Sequence, residues 1–94
     1  MVKSVPARDY VFTEHALFEM QRRRLTEQLV RSVLAEPEQE LEIRPGRTVL
    51  QSKVVMEEAK TYLVRVFVDV YRDPAEIVTV YRTSNISKYW SKSQ

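Results

Sequence analysis

Between Tyr62 and Tyr71 every even position is apolar: Tyr62, Val64, Val66, Val68 and Val70. Alternation with period two marks a strand that packs one face against the rest of the chain. The odd positions, Leu63, Arg65, Phe67, Asp69 and Tyr71, are mixed, so the opposite face is expected to lie open. A strand needs hydrogen-bonding neighbours, and the flanking segments supply them. Leu41 and Ile43 alternate with Glu40, Glu42 and Arg44; Arg44-Pro45-Gly46-Arg47 reads as a turn, with proline and glycine at its centre. Thr48 to about Met56 reads as a second strand and Glu57 to Lys60 as a polar loop. Arg72 to Ala75 turns the chain again, and Ile77 to Tyr81 returns as a fourth strand.

The first third of the chain has a different period. Thr13 is a good N-cap, Glu14 suits the positive end of a helix, and Ala16, Leu17 and Met20 fall at helical spacing over 14–23. Thr26 caps a second helix over about 27–35, whose stripe is Leu29, Val30, Val33 and Leu34 and which Pro37 stops. Tyr10-Val11-Phe12 reads as a short strand or a hydrophobic staple. The expected fold is α+β: two N-terminal helices packed on one face of a four-stranded antiparallel sheet, in the order α-α-β-β-β-β. With 94 residues there is room for one domain, 1–94, made of a helical hairpin at about 13–36, a sheet at about 39–83 and a C-terminal tail at 84–94.

The absence of cysteine removes disulfide scaffolds, thiolate zinc sites and cysteine nucleophiles, and a single histidine leaves almost no supply of zinc ligands. One glycine is too few for a phosphate-cradling loop. No metal and no cofactor are therefore expected. Met1 to Asp9 lacks the apolar core of a signal peptide and no apolar run approaches a membrane span, so the expectation is a soluble, cytoplasmic protein with no membrane partner.

A net charge of +2 does not by itself announce a nucleic-acid binder, but the charge is unevenly spread. Residues 77–94 carry Arg82, Lys88 and Lys92 and no acid. Within 80–90, Tyr81, Arg82, Thr83, Ser84, Ser87, Lys88, Tyr89 and Trp90 bring cations, hydroxyls and aromatic rings together. Phosphodiester recognition uses those groups, cations and hydroxyls for phosphate and rings for unpaired bases. The plainer reading is that Tyr89 and Trp90 pin the tail to the sheet. His15, on the first helical turn, is the only side chain whose ordinary pKa lies near neutrality, and it is either a proton carrier or a packed histidine. Arg22-Arg23-Arg24 complements the helix dipole. A four-residue turn at 72–75 sets Arg65 beside Arg82 and an odd-numbered one sets it beside Tyr81 or Thr83; placing Val78 and Val80 in the core favours the odd turn, but periodicity leaves the register open.

Three ordered motifs, Y-V-F-T-E-H-A-L-F-E-M-Q-R-R-R-L-T-E-Q-L-V at 10–30, R-P-G-R at 44–47 and V-T-V-Y-R-T-S-N-I-S-K-Y-W at 78–90, resemble a bacterial domain-of-unknown-function family. That family is grouped by fold with the RelE/ParE-like toxins, many of which cleave mRNA and are neutralised by an antitoxin. The resemblance implies hallmark positions at His15, Ala16, Arg24, Arg65, Tyr81, Arg82, Thr83, Ser84, Lys88 and Tyr89. It departs at Leu25, where a small residue is usual, and at Asn85, where a lysine is usual.

Two functions follow as expectations. One is a metal-independent endoribonuclease of toxin type. There His15, Tyr81 and Lys88 carry protons, while Arg24, Arg65, Arg82, Thr83, Ser84 and Tyr89 hold RNA, ribosome-bound mRNA included. An antitoxin would then be the protein partner. The alternative is a non-catalytic RNA- or protein-binding module on the same fold.

Overall fold

The computed structural model describes residues 9–92; residues 1–8 and the last two residues of the expected tail lie outside that range. The chain runs through β1 (Tyr10–Phe12), α1 (Glu14–Arg22), α2 (Glu27–Ala35), β2 (Gln39–Arg44) and β3 (Arg47–Val55). A single 3-10 turn at Glu57–Ala59 leads into β4 (Thr61–Asp69), β5 (Ala75–Thr83) and α3 (Ile86–Tyr89).

This corrects the expected architecture. The sheet has five strands in the order β1-β5-β4-β3-β2, and it is mixed, because β1 pairs parallel to β5 with Tyr10 opposite Ala75 and Phe12 opposite Ile77. A strand therefore precedes the helices, and a third helix follows the sheet. Three apolar residues are too few for periodicity to separate a strand from a staple. What decides it is the edge of β5, whose backbone groups need partners.

Both long helices start where a threonine side chain caps them. Thr13 accepts from the Ala16 amide at 3.1 Å and Thr26 from the Leu29 amide at 3.1 Å. Thr13 also donates its hydroxyl to the Ile77 carbonyl at 2.9 Å, which ties the start of α1 to β5. The first helix ends with Arg24 in the left-handed region, φ 59°, while the Leu25 amide reaches back to the Met20 carbonyl at 2.8 Å and the Arg24 amide to the Gln21 carbonyl at 3.2 Å. This is the Schellman pattern of bonds, and it brings buried Leu25 back toward buried Met20.

The helices cover one face of the sheet, α1 along β5 and α2 over β3 and β4. Ala16, Met20, Leu25, Val30, Val33 and Leu34 meet Leu50, Val64, Val66, Val68, Ile77 and Val80 there. Each fully buried valine or isoleucine contributes ~1.5–3 kcal/mol relative to exposure. The even positions of β4 thus point where their alternation requires.

The register of β4 against β5 changes once. Val68 lies opposite Ile77 and Phe67 opposite Thr79, so Val78 is an extra residue, a bulge. Ile77 and Val80 both face the helices because the bulge shifts the alternation between them. Beyond it Arg65 lies opposite Tyr81 and Val64 opposite Arg82. Turn length alone did not contain this answer.

The far face does not lie open as expected. The chain after β5 folds back across it: Gln39 Nε2 donates to the Ser91 carbonyl at 2.6 Å, and Gln51 Nε2 to the Tyr89 carbonyl at 3.2 Å. Lys53 Nζ sits 4.0 Å from the Trp90 ring. Val49 and Leu63, on this side, are fully buried.

Candidate functional site

Gln39, Gln51, Arg65 and Tyr81 face one another across β2, β3, β4 and β5 as consecutive cross-strand partners. Because alternate residues of a strand share a face, all four project on the side away from the helical core. They form one hydrogen-bonded row. Gln51 Nε2 donates to Gln39 Oε1 at 2.8 Å, Arg65 Nε donates to Gln51 Oε1 at 2.7 Å, and Arg65 Nη1 donates to the Tyr81 hydroxyl at 2.8 Å. The Ser91 amide closes the row by donating to Gln39 Oε1 at 3.0 Å.

Arg65 is the centre of this arrangement. It is 9% exposed. Its guanidinium lies 4.5 Å from the Tyr89 ring centroid, 5.2 Å from Phe67 and 5.8 Å from Tyr81. The rings also contact each other: Phe67 stacks on Tyr81 at 5.7 Å, and Tyr89 meets Tyr81 edge-on at 6.3 Å. Among the described residues no carboxylate pairs with Arg65. Its Nη2 has no hydrogen-bond partner among them and is not one of the buried polar atoms left unpaired, so it reaches solvent. An arginine is always charged, and burying a charge beside neutral partners alone is costly. An anion at the free edge of the guanidinium would supply the missing counter-charge.

Arg82 has a different environment. It projects on the other face, donating from Nη1 to Glu57 at 2.8 Å and lying 4.6 Å from the Tyr62 ring. The hydrogen bond from Arg82 holds the Glu57 carboxyl below its ordinary range, helped by a backbone hydrogen bond and by the Coulombic pull of Arg82 and Arg24. Arg24 thus lies on the Arg82 side. Arg65 and Arg82, both expected to hold RNA, are separated by the sheet, and Arg82 already has its counter-charge.

His15 is exposed on α1, one turn before Glu19. Glu19 is held below its ordinary range by the hydrogen bond from Arg23, at 2.9 Å, with Coulombic help from Arg22, Arg23 and His15 against the opposing effect of burial. Arg23 in turn reaches the Tyr81 ring at 5.7 Å. Eight residues separate His15 from Arg23, or about 12 Å along the helix axis at ~1.5 Å per residue. Lys88 is exposed on α3, 5.2 Å from the Tyr89 ring, at the rim of the Arg65 cluster. Thr83 accepts from the Asn85 amide at 3.0 Å and so starts the turn into α3, with Ser84 exposed within it.

The fold therefore gathers Arg65, Tyr81 and Tyr89, with Lys88 at their edge, and places Arg24, Arg82 and His15 elsewhere. Sequence reasoning missed Gln39, Gln51 and Arg23. The only signal for the two glutamines was a neutral polar residue within each strand; the structure buries both almost fully. A buried side-chain amide must find partners.

No helix among the described residues is long and apolar enough to cross a membrane. A model of the family described as Domain of unknown function (DUF4258) matches residues 12–82. No curated protein and no solved structure matches the chain.

Proposed function

The chain belongs to the DUF4258 family, and we propose that it is an RNA-binding domain that holds a backbone phosphate of a single strand at Arg65. The observation that carries this reading is a guanidinium nine-tenths buried, without a carboxylate, and with one nitrogen reaching solvent among three aromatic rings. A phosphate supplies the missing counter-charge through a charge-assisted hydrogen bond. The half-buried rings of Tyr81, Tyr89 and Trp90 offer stacking surfaces to the flanking bases, each stacked base contributing ~1–3 kcal/mol. Lys53 and Lys88 add positive charge beside the rings.

The test is equilibrium binding of a fluorescent single-stranded oligoribonucleotide over a salt series. Affinity should fall with rising salt, with a log–log slope of roughly −0.7 per phosphate contact. Absence of RNA binding, or binding indifferent to salt, would replace this reading with a protein partner on the same face.

One observation favours a second reading, the toxin-type endoribonuclease. The Tyr81 hydroxyl lies 2.8 Å from Arg65 Nη1, a proton carrier beside the cation that would hold the phosphate. In that reaction the ribose 2′-oxygen loses its proton and attacks the adjacent phosphorus. The 5′-oxygen leaves with a proton, giving a 2′,3′-cyclic phosphate and a 5′-hydroxyl. Tyr81 and Lys88 carry the protons, and Arg65 holds the charge that develops on phosphorus. His15 takes part only through a substrate that spans the length of α1, and an antitoxin partner belongs to this reading alone. Mapping RNA 5′ ends in cells expressing wild type or Tyr81→Phe separates the two: new ends lost in the variant establish cleavage, and unchanged ends leave binding.

A further inference from the structure

At the end of β3 and β4 away from Thr83 lies a second concentration of positive charge. The β2–β3 turn and the corner after β4 enclose an open cleft of about 270 Å³, lined by Arg44, Arg47 and Arg72 together with Asp69, Gly46 and Tyr71. Its volume falls below the ~300–1,000 Å³ of drug-sized sites, which suits a small ligand.

Three observations say what that ligand is. First, three guanidiniums face one lining carboxylate, and that carboxylate is engaged. Asp69 Oδ1 accepts from the Tyr71 amide at 3.2 Å and Oδ2 lies 3.9 Å from Arg72 Nε. Arg44 and Arg47 have no carboxylate partner among the described residues. Second, Nε of Arg47 is buried and makes no hydrogen bond among the described residues, although an arginine cannot discard its proton to relieve this. Third, the Tyr71 ring lies against the turn that forms the wall of the cleft. Gly46 adopts φ +85°, and its backbone approaches Tyr71 so closely that a Cβ there would lie 2.7 Å from the ring. The Tyr71 ring therefore rests on the turn while remaining 75% exposed beside the arginines.

We propose that this cleft is a site for a dianionic phosphate group, inorganic or at the end of a nucleotide, with Arg47 at its floor and Arg44 and Arg72 at its rim. Three cations against one carboxylate leave two charges to be matched. A phosphate monoester carries about −1.5 to −2 at neutral pH and offers three acceptor oxygens to several forks at once. A carboxylate supplies half the charge. The exposed Tyr71 ring gives a base attached to that phosphate a surface to stack on. None of this depends on RNA binding at Arg65.

The experiment follows the arginine Nε–Hε signals of the full chain by NMR during titration with inorganic phosphate, adenosine 5′-monophosphate, adenosine or chloride at constant ionic strength. The Arg47 signal should shift saturably with the first two and not with the last two. Any shift at Arg65 reports the separate site on the far face and is fitted on its own. Tighter binding of the monophosphate than of inorganic phosphate identifies a nucleotide, and equal binding identifies the phosphate group alone. Affinity should rise from pH 5 to 7 as the phosphate takes its second charge, whose pKa is ~6. Arg47→Gln should abolish the shifts seen at its neighbours. Should that variant fail to fold, Arg72→Gln, at an exposed position, should weaken binding about tenfold, the scale of one lost charged contact. Shifts that grow linearly as they do with chloride, or saturable binding that survives Arg72→Gln and Arg44→Gln unchanged, would overturn the proposal.

Discussion

Arg65 and Tyr81 lie directly opposite one another on β4 and β5, and the guanidinium donates to the phenol oxygen at 2.8 Å. Their alignment depends on Val78: without that bulge, continuing the pairing of Val68 with Ile77 would set Arg65 against Val80. A buried cation would then meet a core position. The extra residue thus serves both faces at once, keeping Ile77 and Val80 under the helices and delivering Tyr81 to Arg65.

Tyr81→Phe keeps the ring that stacks on Phe67 and removes the oxygen that accepts from Arg65. The loss of one such bond is expected to lower stability by ~1–3 kcal/mol, since a charged donor is left short of a partner. Chemical denaturation measures this, and an unchanged midpoint would show that solvent takes over the bond.

Two carboxylates make stability depend on pH in the acid range. Glu19 is held below its ordinary range chiefly by Arg23, and Glu57 chiefly by Arg82. Groups with a depressed folded pKa add stability that is fully present above the unfolded value, ~4.3 for glutamate, and is lost as pH falls through the folded value. The double variant Glu19→Gln, Glu57→Gln should therefore be less stable than wild type at pH 7. The gap in melting temperature should close as pH falls below 4. A gap that stays constant with pH would assign these residues to packing alone.

The two threonine caps should differ in their effect. Thr26→Ala removes a cap from an exposed helix start and is expected to cost about 1 kcal/mol. Thr13→Ala removes a similar cap together with the hydroxyl bond to Ile77 that anchors α1 on β5, so its cost should be the larger, ~2 kcal/mol. Parallel urea titrations decide the order.

At the turn between β2 and β3, Gly46→Ala meets both a positive φ and the Tyr71 ring. It should destabilise by ~1–3 kcal/mol, the cost of a side chain held in a disfavoured backbone region. Combining it with Tyr71→Ala should recover the part due to the clash, and a double-mutant cycle measures that part.

Much of the helical side could be read directly from the residues. Thr13 and Thr26 do cap helices, and the valines of β4 do face them, because caps and alternation are local properties. What escaped is long-range. The partner of Tyr10-Val11-Phe12 lies more than sixty residues away in β5. A bulge changes register without a proline or glycine to announce it, and Val78 looks like any other strand valine. The aromatic content of the tail suggested contact with the sheet, and Tyr89 and Trp90 do reach it. Yet nothing in the spacing of Gln39 and Gln51 told that they would bind the tail through its backbone. Arg65 and Arg82 looked equivalent, as cations near aromatic rings. One residue of register gives Arg82 a glutamate and leaves Arg65 with neutral partners.

One comparison tests that difference between Arg65 and Arg82. Binding of a single-stranded oligoribonucleotide should be measured for wild type, Arg65→Lys and Arg82→Lys over the same salt series, with folding checked by circular dichroism. Lysine keeps the charge, but it cannot serve Gln51, Tyr81 and a phosphate together as a planar fork does. The prediction is a loss of about tenfold or more for Arg65→Lys, on the scale of one charged hydrogen bond, with Arg82→Lys close to wild type. Equal affinities for all three proteins, or a larger loss for Arg82→Lys, would contradict the assignment of the phosphate to Arg65.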